Sequence, residues 1–371
     1  MIWPMMTLGD VTVNFDVRRR PVKSADRVAG EFPYYGASGV VDHVDDYLFD
    51  GRYLLVAEDG ENLRSRSLPI AFLAEGKFWV NNHAHVLQGN ALARTEYVCY
   101  VLSMVNFGQY ITGSTQPKLT QRSLHSILIP VPPVREQVAI MDVLGALDDK
   151  ISTNRAVVAS ACAMVQAICR TSATDEVELG EVARLMKASV KPASLASVAH
   201  FSLPVFDGNG LPEVVQGKSI LSNKQLLSRP CVLLSKLNPR IPRVWDVPVL
   251  PEQPALASTE FLMLEPKSIP TGVLWGLLIQ PEVQRELEGL ARGTTGSHQR
   301  VKPEDAMRLS VPDPAALGDQ AISLVDALSQ RIWQAKLESR TLAALRDTLL
   351  PALMSGRLSV RDAEAAVSEV V

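Results

Sequence analysis

Cysteine is scarce: Cys99, Cys162, Cys169 and Cys231 are the only four in 371 residues, and no two stand as Cys-x-x-Cys. That excludes a dense disulfide framework and fits a reduced, cytoplasmic protein. Cys162 and Cys169 fall seven apart in a helical stretch and read as small packing residues on one face. Long apolar runs are missing too, since nowhere do about eighteen uncharged apolar residues follow one another. The start, MIWPMMTLGD, has no basic flank, so neither a membrane span nor a signal peptide is expected. Nor is there an excess of one charge. With 37 Lys and Arg against 40 Asp and Glu the formal net charge is -3, so nucleic-acid binding must rest on local patches.

Catalytic constellations are equally thin. Gly217-Lys218-Ser219 looks like the tail of a phosphate-cradling loop, but Pro212 stands where the first glycine is needed. Asn238-Pro239-Arg240 begins like an amino-methyltransferase motif and lacks its second proline and aromatic ring. Glu265-Pro266-Lys267 offers a nuclease-like Glu-x-Lys with no preceding Asp at sensible spacing. His83 and His85 alternate as strand neighbours do, yet no carboxylate or cysteine stands beside them in sequence, and a structural pair is the better reading. No catalytic residue and no metal ligand is assigned.

What is present is a repeat. The stretch GSTQPKLTQRSLHSILIPVPPVREQVAIMDVLGALDDKI from Gly113 is echoed by GSHQRVKPEDAMRLSVPDPAALGDQAISLVDALSQRI from Gly296. Gln116 meets Gln299, Ile129-Pro130 meets Val311-Pro312, and Lys150-Ile151 meets Arg331-Ile332. A second echo, Leu8-Gly9-Asp10-Val11 against Leu179-Gly180-Glu181-Val182, marks the start of each copy. The chain reads as an internal duplication with pseudo-two-fold character.

Each copy has the same plan. Residues 1–133 are a mixed domain of short strands, among them Tyr53–Ala57 ended by Glu58-Asp59-Gly60, and a buried helix from Glu96 to Phe107 stopped by Gly108. Asn81-Asn82 marks a tight connection between Phe78-Trp79-Val80 and His85-Val86-Leu87. IPVPP at 129–133 breaks the chain, and residues 134–172 form a long helix free of proline. Leu144, Leu147, Ile151, Asn154, Val158, Ala161, Val165 and Ile168 lie on a heptad seam with one register-setting asparagine. Residues 173–314 repeat the mixed domain, with a helical pattern from Val273 to Ile279 that resumes after Pro281. Residues 315–371 carry a second seam, Val325, Leu328, Ile332, Ala335, Ser339, Leu342, Arg346 and Leu349, up to Pro351, and a tail. The expected fold is α+β: two mixed domains joined by two long antiparallel coiled-coil helices. About 35 helical residues span roughly 50 Å, which makes the pair a spacer.

Polar and basic loops are the candidate contacts. Arg18, Arg19, Arg20 and Lys23 follow the first landmark, and Tyr35 and Ser38 lie in the ring-bearing, glycine-rich YYGASG. In the second copy Lys236, Asn238, Arg240 and Arg243 stand on a proline-stiffened segment. The repeated loops add Ser114, Thr115, Gln116 and Lys118, and Ser297, His298, Gln299 and Arg300. Guanidinium forks and amides held at fixed geometry are what phosphate and base-edge reading require.

These strings resemble the specificity subunit of type I restriction-modification systems. The likeness runs through Tyr34 to Gly60, Trp79 to Leu87, Gly113 to Gln121, Ile129 to Ile140, Ser235 to Trp245, Gly293 to Asp305 and Leu349 to Leu358. VPDPAALGDQ departs from the family's IPxPPxxEQ. The resemblance implies two target-recognition domains, each reading one half of a bipartite, asymmetric site in double-stranded DNA. It implies helices, paired through Leu144, Leu147, Ile151, Asn154, Val158, Leu328, Ile332, Leu342 and Leu349, that set the spacing. It further implies a non-catalytic chain docking two modification methyltransferase subunits and an endonuclease/translocase subunit, with S-adenosylmethionine, ATP and magnesium belonging to those partners. A duplicated coiled-coil adaptor that binds proteins keeps the helices and the charge. It leaves the matched Arg/Asn-rich loops without a purpose.

Overall fold

The structure is a computed structural model and describes residues 3–171, 175–291 and 299–368. It divides into two compact units, Met1–Asp149 with Leu342–Val371, and Lys150–Thr341, so that each long helix contributes one part to each unit.

In the first unit the run Tyr53–Ala57 is buried at every residue, as a central strand covered on both faces must be. It lies in an antiparallel sheet ordered Thr12–Asn14, Ala84–Gly89, Tyr53–Ala57, Ala71–Ala74. Strand alternation sends Tyr53 and Leu55 to one side, where they join Phe49, Phe78, Val80 and Val86 in an aromatic-rich core. That core is shared with a second sheet, Gly39–Val44, Ala29–Gly36, Lys77–Val80, Phe49–Asp50, whose inner pair is parallel. The other side is covered by helix Thr95–Met104 through Tyr97, Val98, Val101 and Leu102.

The helix stops short of the expected Gly108. Val105 is already extended, because the Asn106 side chain accepts from Gly108 N at 3.1 Å and fixes a 3-10 turn, Phe107–Tyr110, in place of another helical turn. Asn81-Asn82 is a short connection, and it carries the chain from one sheet to the other.

The second unit uses the same strand order. Its antiparallel sheet is Ala183–Met186, Phe261–Pro266, Cys231–Ser235, Val244–Val247. Val232 and Leu234 face one cluster with helix Thr271–Leu278, while Cys231 and Leu233 face the other with Phe201, Trp245 and Phe261. The companion sheet again has a parallel inner pair, Ser197–Phe201 with Ala255–Ala257, and gains an edge strand, Ser189–Val190. Pro281 opens a separate helix, Pro281–Gly289, where its missing N–H costs nothing.

Both starting landmarks are one-turn helices with capping boxes, Leu8–Val11 on Thr7/Asp10 and Leu179–Val182 on Glu178/Glu181. Leu8 N donates to Ile127 O at 2.7 Å, and Leu179 N to Leu309 O at 2.9 Å. Beside them Met5–Thr7 pairs with Leu128–Pro130, and Glu176–Glu178 with Ser310–Pro312. The proline breaks therefore return to the beginning of their own domain.

The long helices are Val134–Thr171 and Asp319–Met354. At the first one's start Gln137 is fully buried, accepting from Arg94 N and donating to the Leu92 and Pro132 carbonyls. Gln320 in the departing VPDPAALGDQ is exposed, so the local contacts differ there. Leu144, Leu147, Ile151, Asn154, Ala161 and Val165 are buried on the first helix, and Val325, Ile332, Ala335, Leu342 and Leu349 on the second; Val158 and Leu328 are half-buried. The second helix runs past Pro351 to Met354, and the carbonyl that proline leaves without its helical partner belongs to Asp347, an exposed residue. The tail holds a further helix, Val360–Ser368, whose cap Ser359 accepts from Asp362 N.

Candidate nucleic-acid interface

In the first unit the central strand runs out into Glu58-Asp59-Gly60, and the repeated polar loop folds onto it. Leu119 N donates to Glu58 O at 2.7 Å, Gly60 N donates to Pro117 O at 3.2 Å, and Asp59 bridges Lys118. Ile111–Thr112 and Lys118–Leu119 pair to close the loop. Gly113 sits at φ 85°, and a Cβ there would meet the Gln116 carbonyl oxygen at 2.2 Å, so only glycine fits. Ser114, Thr115 and Gln116 are exposed on this tight turn. Arg64 Nη2 braces it from the side, donating to the Gly113 and Ser114 carbonyls at 2.8 and 3.0 Å.

Beneath the loop lies a charge cluster drawn from four segments. Arg19 Nη1 bonds Glu58 at 2.7 Å and the Ala84 carbonyl at 2.8 Å, and Lys118 reaches Glu58 at 3.1 Å. His85 faces an acceptor with each ring nitrogen, Asp16 at 2.6 Å and the Leu119 carbonyl at 2.8 Å. Burial acts to raise the Asp16 carboxyl, but the His85 hydrogen bond and charge, the Val86 amide and Arg19 outweigh it and hold it below the ordinary value. Glu58 is likewise pushed up by burial and pulled further down by Arg19, His85 and Lys118. Ligand atoms of Asp16, Glu58 and His85 lie within 4.8 Å of one another, a spacing a cation could use. The Arg19 guanidinium already bonds that carboxylate group, so the cluster acts as a rigid mount for the loop.

The second unit repeats the arrangement. After strand Cys231–Ser235, Val301 N donates to Lys236 O at 3.0 Å, Asn238 N donates to Gln299 O at 2.9 Å, and Leu237 bridges Arg300. The repeated loop thus again meets the chain leaving the central strand. Arg300 forms a bidentate pair with Glu260, both bonds 3.1 Å, and Arg243 a tighter one with Asp207 at 2.6 and 2.7 Å. The Asn238 backbone is left-handed at φ 50°, a conformation asparagine tolerates. Arg240 stands 3.5 Å from Glu288 with both side chains well exposed, and Lys236 makes no side-chain ion pair or hydrogen bond among the described residues.

The remaining nominated residues scatter in role. Arg18 is exposed, lies 4.6 Å over the Phe49 ring and donates to the Leu48 carbonyl. Arg20 and Lys23 are exposed, and Arg19 is the half-buried one of the run. Tyr35 packs inward against Phe72 and Phe78 at 6.0 and 5.5 Å between centroids, while Ser38 is exposed at the turn between its hairpin strands. Ser297 and His298 lie outside the described residues. The other motifs have structural partners. Gly217 is buried against the Pro192 and Leu195 carbonyls. Glu265 is held by Arg184, then by Arg229, which take its carboxyl down to about 2.

Sequence reading missed Arg64 and Arg66. Their signal was the alternation Arg64-Ser65-Arg66-Ser67 just after the turn that ends the central strand. It also missed the carboxylates of the two histidines, since Asp59, at 2.9 Å from His83, and Asp16 come from other segments.

Residues 2–159 match a family model described as the type I restriction modification DNA specificity domain. A putative type I restriction enzyme specificity subunit of Haemophilus influenzae is 41% identical over 130 residues, 35% of this chain and 33% of that protein. A type I restriction enzyme specificity subunit of Escherichia coli is 23% identical over 151 residues, 40% of this chain and 34% of that one. The chain thus matches about a third of the length of these curated relatives. Among solved structures, the type I restriction-modification S subunit of M. genitalium is similar over 95% of this chain and 96% of that one, with a TM-score of 0.67 and 15% identity, a likeness of fold.

Proposed function

We infer that this chain, whose residues 2–159 match the type I restriction modification DNA specificity domain, is the DNA-reading subunit of a type I restriction-modification complex. The observation that carries the reading is the recurrence of one device. In each unit a polar loop is mounted on the exit of the central strand, beside a segment rich in Arg, Lys and Asn. Two such readers, unlike in their side chains, are what an asymmetric, bipartite site in double-stranded DNA requires.

The proposal extends to architecture. Residues 1–133 and 173–314 serve as target-recognition domains related by duplication, which the matching strand order supports. Residues 134–172 and 315–371 supply antiparallel spacer helices. Supporting this are Asp148–Arg346 at 2.6 Å within the first unit and Asn154–Glu338 at 3.0 Å within the second, since partners that rise along one helix fall along the other. Two methyltransferase subunits and an endonuclease/translocase subunit complete the complex and bring S-adenosylmethionine, ATP and magnesium. This chain contributes binding and no bond-making.

The test is a comparison of genome-wide base methylation in cells carrying the methyltransferase partner with and without this chain. A two-part modified motif that appears only with the chain is expected. Identical methylation maps would sink the reading.

A further inference from the structure

We propose that residues 62–67 of the first unit form a further DNA-contacting arm that grips the phosphodiester backbone through Arg64 and Arg66. The inference rests on the reading of the chain as a DNA-binding subunit, and it adds a site that the nominated loops do not include.

The starting observation is backbone geometry. Among the described residues only two that are not glycine have positive φ, Arg66 at 51° and Asn238 at 50°. Both fall in the same topological place, between the central strand and the next strand of its sheet: Tyr53–Ala57 to Ala71–Ala74 in one unit, Cys231–Ser235 to Val244–Val247 in the other. Both segments also touch the repeated polar loop of their own unit, through Arg64 and through Leu237. In the second unit this place holds Lys236, Asn238 and Arg240. In the first it holds Arg64 and Arg66.

Left-handed backbone is disfavoured for a side chain such as arginine, and such residues gather where function over-determines the conformation. Glycine would hold this turn with no steric penalty, yet a guanidinium stands there. The turn is fixed without help from the Arg66 charge. Arg66 N donates to Asn62 O at 3.0 Å, and the Asn62 side chain accepts from Leu68 N at 2.9 Å and donates to Leu68 O at 3.1 Å.

The surroundings suit a polyanion. The two arginines border an open cleft of about 620 Å³ whose other polar side chains are Asn106 and Thr112, with no carboxylate in its lining. Arg64 uses Nη2 on the Gly113 and Ser114 carbonyls, and Arg66 uses Nη2 on the Val105 carbonyl. Each guanidinium carries five N–H donors, so both keep donors for phosphate oxygens in the fork geometry that guanidinium provides. Carbonyl partners leave their positive charge in place. The nearest acid, Glu61, is 4.0 Å from Arg64 and well exposed.

The test uses the full chain, a random-sequence duplex of about 40 bp, and salt between about 50 and 200 mM. Arg66→Gly is the informative variant, because it relieves the left-handed backbone while removing the charge. It should melt no lower than the parent and bind the duplex about 10-fold more weakly, with the slope of log affinity on log salt reduced by about 0.9. Arg64→Gln should show the same loss, and Arg66→Lys, which keeps the charge, should keep the slope. Parent-like affinity and slope in Arg66→Gly and Arg64→Gln, from a parent that binds, overturn the arm alone. A slope lost equally in Arg66→Lys also overturns it, since the effect is then one of folding. No salt-dependent binding of any duplex by the parent overturns the DNA-binding reading and the arm with it.

Discussion

Asp246 should make the second unit less stable as pH rises from about 4 to about 6, and Asp246→Asn should abolish that dependence. Its carboxyl sits on strand Val244–Val247 with Oδ1 buried and unpartnered, while its other oxygen accepts from Ser329 of the second long helix. Burial pushes it up to about 6, against hydrogen bonds from Ser329 and Thr271 and the charge of Lys336, with Asp326 adding to the rise. In the unfolded chain an Asp titrates near 3.9. Between those values the native state binds the extra proton, so stability falls as pH rises through the window and stays reduced above it. At about 1.4 kcal/mol per pH unit the penalty at pH 7.5 is up to about 3 kcal/mol. An asparagine keeps an acceptor for Ser329 and carries no charge to desolvate. Thermal unfolding of parent and variant across pH 4 to 8 should show equal melting near pH 4. At pH 7.5 the variant should melt higher, by on the order of 5 to 10 °C for a unit of this size. A variant that melts lower at pH 7.5, or tracks the parent at every pH, refutes the reasoning.

Inserting one heptad into each of the paired helices, beside Asn154 and beside Glu338, lengthens the proposed spacer by about 10 Å, and the unread gap between half-sites should grow by about 3 bp in a methylation map. An unchanged gap with recognition intact rejects the spacer. Lys236→Ala or Arg240→Ala should weaken cognate binding by roughly 1 to 3 kcal/mol if the residue reads a base, measured against duplexes altered one pair at a time; a uniform loss over all of them assigns it to phosphate. Gly113→Ala should distort the Ser114–Gln116 turn, lowering duplex affinity and removing the Arg64 brace, which amide exchange at residues 111–119 would register; unchanged protection there contradicts the close approach to the Gln116 carbonyl.

Local chemistry made much of the fold legible. Leu8-Gly9-Asp10-Val11 and its echo were conspicuous because a one-turn helix with an acidic residue at its third position carries its capping information within four residues. Tyr53–Ala57 was legible as an unbroken apolar run closed by a turn, and the burial of Leu144 and Leu342 in their three-and-four spacing. Ser359-x-x-Asp362, the same kind of signal, went unread ahead of Val360–Ser368. What could not be seen was anything assembled across distance. The mount under the first loop takes Asp16, Arg19, Glu58, His85 and Lys118 from segments whose neighbourhood exists only once the sheet has chosen its strand order. Arg19 looked like its neighbours Arg18 and Arg20, and its bonds to Asp16, Glu58 and the Ala84 carbonyl separate it from them. Left-handed backbone at Arg66 leaves no mark on a sequence at all.

That separation explains how a chain with 37 basic and 40 acidic side chains can serve a polyanion. Cations at the base of the loops are paired with carboxylates: Arg19 and Lys118 with Asp16 and Glu58 together, Arg243 with Asp207, Arg300 with Glu260. They fix geometry and add nothing to the field outside. Cations at the rim bond carbonyls instead, Arg18 that of Leu48, Arg64 those of Gly113 and Ser114, Arg66 that of Val105. A carbonyl orients a guanidinium without cancelling its charge, so these side chains are positioned and still electropositive. Each one that meets a phosphate releases counterions and contributes about 0.9 to the salt slope, whatever the net charge of the whole molecule. On the proposed reading net charge sets only the long-range approach, and the duplex would be held by the few arginines and lysines that no acid pairs closely.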